Sequence, residues 1–177
     1  MTAADLTGHE MDRLTSWFSQ HGQAVRGYLL AAIRRPDVAD DLAQEVFRRA
    51  WQARETYREQ GTARAYLLKI ADRLLIDHAR KSKPEVHLDE NGWAVAEPAD
   101  RGDAPTDRLK KSEARQELDA SLELLTPQRK RVLLLRYYCD MSFADIAETV
   151  GCPLSTALSH CRRGLLALRK HIAESTL

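Results

Sequence analysis

The side chains best suited to chemistry lie near the end of the chain, at Ser142, Ser155, Thr156, Leu158, Ser159, His160, Arg162 and Arg163. Small polar side chains at the start of a helix can approach base edges closely, whereas guanidinium groups bind phosphates without reading the sequence. This order of residue types, small first and basic afterwards, is typical of a helix that enters the major groove of DNA.

Cysteines and histidines suggest a different chemistry, that of an enzyme or a metal protein using His78, His160, Cys161 and scattered carboxylates. Cys139, Cys152 and Cys161 match no zinc spacing, and their odd number argues against a disulfide framework. The chain has no glycine-rich phosphate loop, His-x-x-x-His pair or nucleophile elbow. We therefore expect no catalytic group, metal, cofactor or small-molecule substrate, and we interpret the cysteines as buried small hydrophobic residues.

The segments around the C-terminal polar residues predict a helix-turn-helix. Ser142 and Asp145 have the spacing of a capping box, which opens a short helix, and Gly151 is the glycine expected just after its end. A longer basic helix follows from about Leu154 to about Ala173. In this motif the second helix lies in the major groove. Such helix pairs also occur in plain helical bundles, so the motif by itself leaves DNA binding open.

The composition predicts helices throughout. A hydrophobic share of 44% indicates a folded protein, and 30% charged residues with only 8 glycines in 177 residues favours helices over sheets. No apolar stretch is long enough to span a membrane and no secretion signal is present, so we expect a cytoplasmic protein. The net charge of +1 is low for a DNA-binding protein, so any positive surface must be segregated.

The N-terminal part predicts two helices after an unpatterned leader at residues 1–11. Apolar residues recur every three or four positions and should share one face of the first helix. They are Leu14, Trp17, Phe18, His21, Val25, Tyr28 and Leu29. The second helix follows Pro36, with an acidic first turn that suits the helix dipole. We expect it to bury Leu42, Val46, Ala50 and part of Trp51.

A third helix is predicted from Ala63 to Lys83, with an apolar stripe from Leu67 to His78. Its other face carries the positive charges of Arg64, Lys69, Arg73, Arg80 and Lys81. Two basic helices in two parts of the chain favour two contacts along one long ligand, such as DNA, over mere solvation of a helix face.

Residues 84–112 separate the two helical parts. Prolines, glycines and acidic residues replace the apolar stripe there, as in a linker. The helical pattern restarts beyond it and includes Thr126-Pro127, a cap residue followed by proline at the first helical position. We therefore predict an all-α chain of two small domains, residues 12–83 and 113–177, joined by a flexible acidic linker.

Three segments resemble a known family, the extracytoplasmic-function (ECF) sigma factors of bacterial RNA polymerase. Residues 38–51, VADDLAQEVFRRAW, resemble the family's polymerase-binding segment, and residues 66–81, YLLKIADRLLIDHARK, resemble its minus-10 helix. Residues 124–129, LLTPQR, together with Asp145-Ile146-Ala147, resemble its minus-35 domain. The three segments occur in the family's order and cover nearly the whole chain.

This resemblance implies a role for each surface. The beta and beta-prime subunits of core polymerase would be bound by Asp40, Asp41, Leu42, Gln44, Glu45, Phe47, Arg48 and Trp51. Binding and melting of the minus-10 DNA would fall to Tyr57, Arg58, Arg64, Tyr66, Lys69, Arg73, Arg80 and Lys81, with Tyr57 and Arg58 stacking on a flipped base. The helix-turn-helix residues named above would bind the minus-35 element. An anti-sigma factor is a usual partner in this family.

The chain departs from the family at four positions. It has Tyr66 where tryptophan is usual, Arg73 where asparagine is usual, and Leu158 and His160 where a basic pair is common. An unusual promoter sequence is therefore expected. The alternative is a stand-alone helix-turn-helix regulator, which would bind a two-fold symmetric operator tightly without polymerase.

Overall fold

The fold is known from a computed structural model that describes residues 3–54, 62–82 and 116–175. All regular structure in these ranges is helical, as predicted. The chain divides into two compact units, Met1–Trp93 and Ala94–Leu177. No helix in the described ranges is both long and apolar enough to cross a membrane.

The first unit contains α1 (Ala3–Ile33), α2 (Pro36–Gln52) and α3 (Ala63–Ser82), and each of these helices packs against the other two. Residues 3–11, which the sequence pattern assigned to a leader, are part of α1. Their apolar spacing is weak, but Ala3, Ala4 and Asp5 suit the N-terminus of a helix.

A sharp turn separates α1 from α2. Arg34 adopts a left-handed conformation with φ of 62°, and Arg35 is extended with φ of −117° and ψ of 108°. Pro36 then occupies the first turn of α2, where its missing N–H leaves no hydrogen bond unmade. Asp37 adds negative charge to the same turn, in keeping with the predicted acidic start.

The core of the first unit consists of one stripe from each helix. It comprises Trp17, Val25, Tyr28, Leu29, Ala39, Val46, Phe47, Ala50, Leu67, Leu68, Ala71, Leu74 and Leu75. Leu42, which was predicted to be buried, is only half-buried, and Phe18, which shares the predicted apolar face of α1, is 61% exposed. Phe18 follows Trp17 by one position, so it is turned about 100° away from the residue that the core accepts.

A polar pair lies inside this core. The Tyr28 hydroxyl of α1 donates a hydrogen bond of 2.7 Å to Oδ1 of Asp72 in α3, and both residues are 0% exposed. A buried carboxyl group is tolerated only when its oxygens accept hydrogen bonds. The pair therefore fixes the position of α3 along α1 more specifically than apolar contacts alone would.

The second unit contains α4 (residues 116–123), α5 (Pro127–Leu133), α6 (Phe143–Val150) and α7 (Leu154–Ser175). A single π turn, Leu134–Tyr138, continues α5. Thr126 is extended before Pro127 as predicted, although its side chain makes no capping hydrogen bond. The core includes Val132, Leu133, Leu135, Ile146, Ala157, Cys139 and Cys161. Two of the three cysteines are thus buried as expected, and Cys152 is half-buried.

The two ends of α6 follow the predicted capping pattern. Ser142 Oγ accepts a 3.1 Å hydrogen bond from the Asp145 amide and donates one of 2.7 Å to the Asp145 carboxylate. Gly151 ends the helix with φ of 75°, the left-handed conformation that glycine adopts at little cost. The turn between α6 and α7 is therefore fixed by local chemistry at both of its ends.

Replacing Tyr28 with phenylalanine should destabilise the first unit by about 1–3 kcal/mol, because Asp72 loses a buried hydrogen bond. Urea unfolding followed by tryptophan fluorescence measures this change. Tyr138→Phe is the matched control, since Tyr138 is 51% exposed. Equal unfolding midpoints for the two variants would contradict the assignment.

Ser142→Ala should weaken the start of α6 by about 1 kcal/mol, since the Asp145 amide loses its acceptor. Hydrogen exchange of that amide should become several-fold faster. Ser142→Thr retains the oxygen and should exchange nearly as the wild type does. Unchanged exchange in the alanine variant would show that the cap contributes nothing.

Candidate polymerase and DNA interfaces

Most of the predicted DNA-reading residues share one exposed face of α7. Ala157, Cys161 and Gly164 form the buried face of this helix, so positions on the opposite side are turned to solvent. Ser155, Thr156, Ser159, Arg162 and Arg163 lie on that outer side, and Ser155 and both arginines are exposed. The structure thus brings together hydroxyl groups near the helix start with two guanidinium groups one turn later.

Leu158 and His160 lie on opposite flanks of this face. Leu158 is 45% exposed and continues an apolar stripe with Leu154 and Leu165, which are 49% and 42% exposed. The spacing of four and seven residues could have revealed this stripe in the sequence. An exposed leucine at such a position can contact a thymine methyl group but cannot bind a phosphate.

His160 lies among positive charges on the other flank. Burial lowers the pKa of its imidazole, and the guanidinium groups of Arg129 in α5 and Arg163 in α7 lower it further. Arg129 was not among the predicted site residues, because nothing in the helix-turn-helix pattern marks a position in the preceding helix. Ser142, in contrast, serves as the N-cap of α6 and is exposed.

The minus-10 residues of α3 are brought together only in part. Tyr66, Lys69, Arg73 and Arg80 recur at intervals of three, four and seven residues and share the side of α3 opposite its core stripe. Arg73, Arg80 and the flanking Lys81 are exposed.

Arg64 does not belong to this group, because it lies on the other side of the helix. There its charge, after burial, lowers the pKa of His21 in α1. Tyr57 and Arg58 lie outside the described residues.

Tyr66 is held in place by the core of the first unit. Its ring meets Trp17 edge-on, with ring centroids 6.0 Å apart, and burial raises the pKa of its hydroxyl group. The side chain of Tyr66 therefore stays neutral at physiological pH. A tyrosine here can donate a hydrogen bond in addition to stacking on a base.

The outer face of α2 is charged and partly self-paired. Asp41, Gln44 and Arg48 are exposed. Glu45 accepts hydrogen bonds from both Arg48, at 2.5 and 2.6 Å, and Arg49, at 2.8 Å. These bonds lower the pKa of Glu45 to about 2 and raise that of Arg48.

The Asp40 carboxylate, unlike that of Asp41, is already paired within the first unit. Both of its carboxylate oxygens accept hydrogen bonds from Arg26 of α1, at 2.5 and 3.2 Å. It therefore ties α2 to α1, and the resemblance gave no sign of this because Arg26 lies outside the matching segment.

An apolar groove of about 320 Å³ runs along one flank of α2, lined by Leu14, Thr15, Phe18, Phe47 and Trp51. Phe18 and Phe47 meet edge-on at 5.0 Å, and the Arg54 guanidinium lies 4.3 Å from the Trp51 ring centroid. The predicted residues Phe47 and Trp51 thus join residues of α1 in one surface, whereas Leu42 lies on the other flank of α2. In the described ranges no group of three or more His, Cys, Asp or Glu residues could hold a metal ion.

Each of the two units matches a known protein-family model. Residues 17–85 match the model of sigma-70 region 2, and residues 115–168 match that of sigma-70 region 4. Together these matches cover well over half of the chain.

The chain is similar to several curated proteins over most of its length. It is 28% identical to the RNA polymerase sigma factor YlaC of Bacillus subtilis, over 93% of this chain and 94% of that protein. It is also 28% identical to the ECF RNA polymerase sigma factor SigW of the same organism, over 77% of this chain and 76% of that protein. Identity to the ECF sigma factor SigK of Mycolicibacterium vanbaalenii is 24%, over 91% and 82%.

Solved structures share the fold. The sigma factor RpoE of Bartonella quintana, determined with the anti-sigma factor NepR, superposes with a TM-score of 0.68 at 20% identity, covering 90% of this chain and 96% of that one. CnrH, determined with the cytosolic domain of CnrY, gives 0.67 at 17% identity, covering 93% and 90%. With both region models matched in order and relatives of the same kind aligned along the chain, this protein belongs to the ECF group of the sigma-70 family of RNA polymerase sigma factors.

Proposed function

We propose that this chain binds core RNA polymerase, directs it to promoters through their minus-35 and minus-10 elements, and promotes melting and initiation. The observation that carries the proposal is the pair of exposed basic helix faces, one on α3 and one on α7, in the units that match regions 2 and 4. The chain supplies no chemistry of its own in this role, since nucleotide transfer belongs to polymerase.

Core polymerase would dock on the outer face of α2. Asp41, Gln44 and Arg48 offer charge and hydrogen bonds, and the groove beside Phe47 and Trp51 offers apolar area. A charged rim around an aromatic surface is typical of protein interfaces, in which the aromatic centre supplies most of the affinity. Glu45 contributes by holding the Arg48 side chain in place.

The α3 face would bind the minus-10 element. Lys69, Arg73 and Arg80 can neutralise successive phosphates, while the hydroxyl group of Tyr66 can contact a base or sugar. A flipped base could be trapped by stacking on Tyr57 and Arg58, which costs a few kcal/mol of unstacking and recovers it in contacts. Arg64 would act on the packing of α1 and α3 instead of on DNA.

The α7 face would bind the minus-35 element. Ser155, Thr156 and Ser159 are placed for base edges, with Arg162 and Arg163 placed for the phosphates beside them. Leu158 replaces a basic residue by an apolar one. The preferred sequence should therefore favour a thymine methyl group at that position.

The near-neutral net charge of +1 fits a factor that needs polymerase. Affinity for DNA rises with the number of phosphates neutralised, so each small unit alone should bind weakly. When polymerase holds both units at the correct separation, binding of the second becomes intramolecular and the two affinities reinforce each other. A stand-alone regulator would require tight binding without this help.

An anti-sigma factor is a further proposed partner, acting in the cytoplasm where polymerase works. The structure of RpoE with NepR supports this kind of partner for the family. In this chain the exposed apolar groove beside Phe18 offers area that a regulator could cover in competition with polymerase.

Transcription in vitro with core polymerase and genomic DNA tests the function directly. We expect RNA to start at defined positions that share two sequence elements, and no specific gel shift by the purified chain alone. Tight operator binding without polymerase would support the stand-alone regulator instead. Failure of the mixture to start RNA at any defined position would rule out the proposal.

Asp41→Lys should weaken association with core polymerase about tenfold, since reversing an exposed charge at an interface costs on the order of 1.4 kcal/mol. Fluorescence anisotropy of the labelled chain titrated with core enzyme measures this. Glu174→Lys is the matched control, because it makes the same charge change at a 59% exposed position on α7. Equal affinities for the two variants would remove Asp41 from the interface.

A further inference from the structure

The Cβ end of the Arg129 side chain lies close to the recognition helix, α7. Gly164 of α7 has no side chain, and a Cβ atom built there would lie 2.8 Å from Cδ1 of Leu133 and 3.5 Å from Cβ of Arg129. Glycine is thus what lets α5 approach α7 this closely. The contact places Arg129 one helical turn from His160, on the flank next to the DNA-facing side of α7.

Charge is concentrated at this flank without compensation. Arg129 and Arg163 come from different helices, yet both guanidinium groups act on the His160 imidazole. Among the described residues no carboxylate forms an ion pair with Arg129, His160 or Arg163. Like charges held together repel each other, so an anion bound between them would relieve the repulsion.

We propose that Arg129, His160 and Arg163 together form a binding site for a DNA phosphate at the edge of the recognition helix. This inference rests on the proposed function, in which α7 enters the major groove of the minus-35 element. Arg129 then provides, from a neighbouring helix, positive charge on the flank where α7 itself carries a histidine. Two arginines can hold a phosphate from two directions, which also fixes the angle at which α7 enters the groove.

The site makes binding depend on pH. Burial and the two arginines hold the pKa of His160 below its usual 6.5, so the neutral imidazole predominates in the free protein at pH 7. A bound phosphate favours the protonated form, so binding takes up a proton as the pH falls. Affinity therefore rises toward low pH, and the gain is lost above the pKa of the bound state.

Among the described residues, none of the charged groups found to act on His160 is negative. The charged groups that act on His160 are Arg129 of α5 and Arg163 of its own helix. The charged residues of α6, Asp145 and Glu148, are not among them.

The salt dependence of promoter binding tests the site. Wild-type, Arg129→Gln and Arg129→Lys chains are each combined with core polymerase and titrated onto a promoter fragment mapped by transcription. Loss of one phosphate contact should reduce the slope of log affinity against log salt by about 0.9 and weaken binding severalfold. The lysine variant should keep most of the slope, and Arg35→Gln, which removes one charge from the other unit, should keep all of it.

A second measurement compares binding at pH 7.5 and 5.5. Wild type should gain affinity at the lower pH relative to His160→Gln, and melting curves confirm that each variant is folded. A wild-type salt slope in Arg129→Gln, or a pH response in His160→Gln equal to that of wild type, would overturn the site. The proposed function would still stand in that case, as long as wild-type holoenzyme binds the promoter. Absence of wild-type holoenzyme binding to the promoter would instead refute the function.

Discussion

The contacts that α3 and α7 make with their small cores decide which side chains these two helices expose. A helix of 3.6 residues per turn can bury one stripe and expose the opposite one, so α3 and α7 need anchors that prevent rotation about their axes. In α3 the anchor is polar, the hydrogen bond from Tyr28 to Asp72 at 2.7 Å. In α7 it is steric, the close approach at Gly164. Both anchors fix which side chains each helix exposes, although the anchoring residues themselves are buried.

Much of this arrangement could be predicted from the sequence. Period and capping residues predicted the short helix after Ser142, its end at Gly151 and the long basic helix beyond, because these signals are local. The resemblance predicted the family, which the comparisons confirmed. The roles of individual surface residues remain predictions, and Tyr57 and Arg58 lie outside the described residues.

Contacts between distant parts of the chain were not predictable in the same way. Arg26 with Asp40, Tyr28 with Asp72 and Arg129 beside His160 each join two helices, and helical period carries no information about the rotation of one helix against another. Phe18 is exposed for the same reason, since a stripe of seven apolar positions is wider than the core that accepts it. The π turn after α5 also has no signature in composition.

Two titrating groups sit on two different surfaces, and only one of them changes its charge in mild acid. Glu45, with a pKa of about 2, keeps its ion pairs with Arg48 and Arg49 at any acidity a living cell withstands. Burial and the charges of Arg129 and Arg163 lower the pKa of the His160 imidazole, and its protonation in acid adds positive charge to the α7 surface. If α2 binds the enzyme and α7 binds the promoter as proposed, acid stress would leave the charge of the first surface constant while adding charge to the second, so internal pH would tune transcript output without altering how much holoenzyme is assembled.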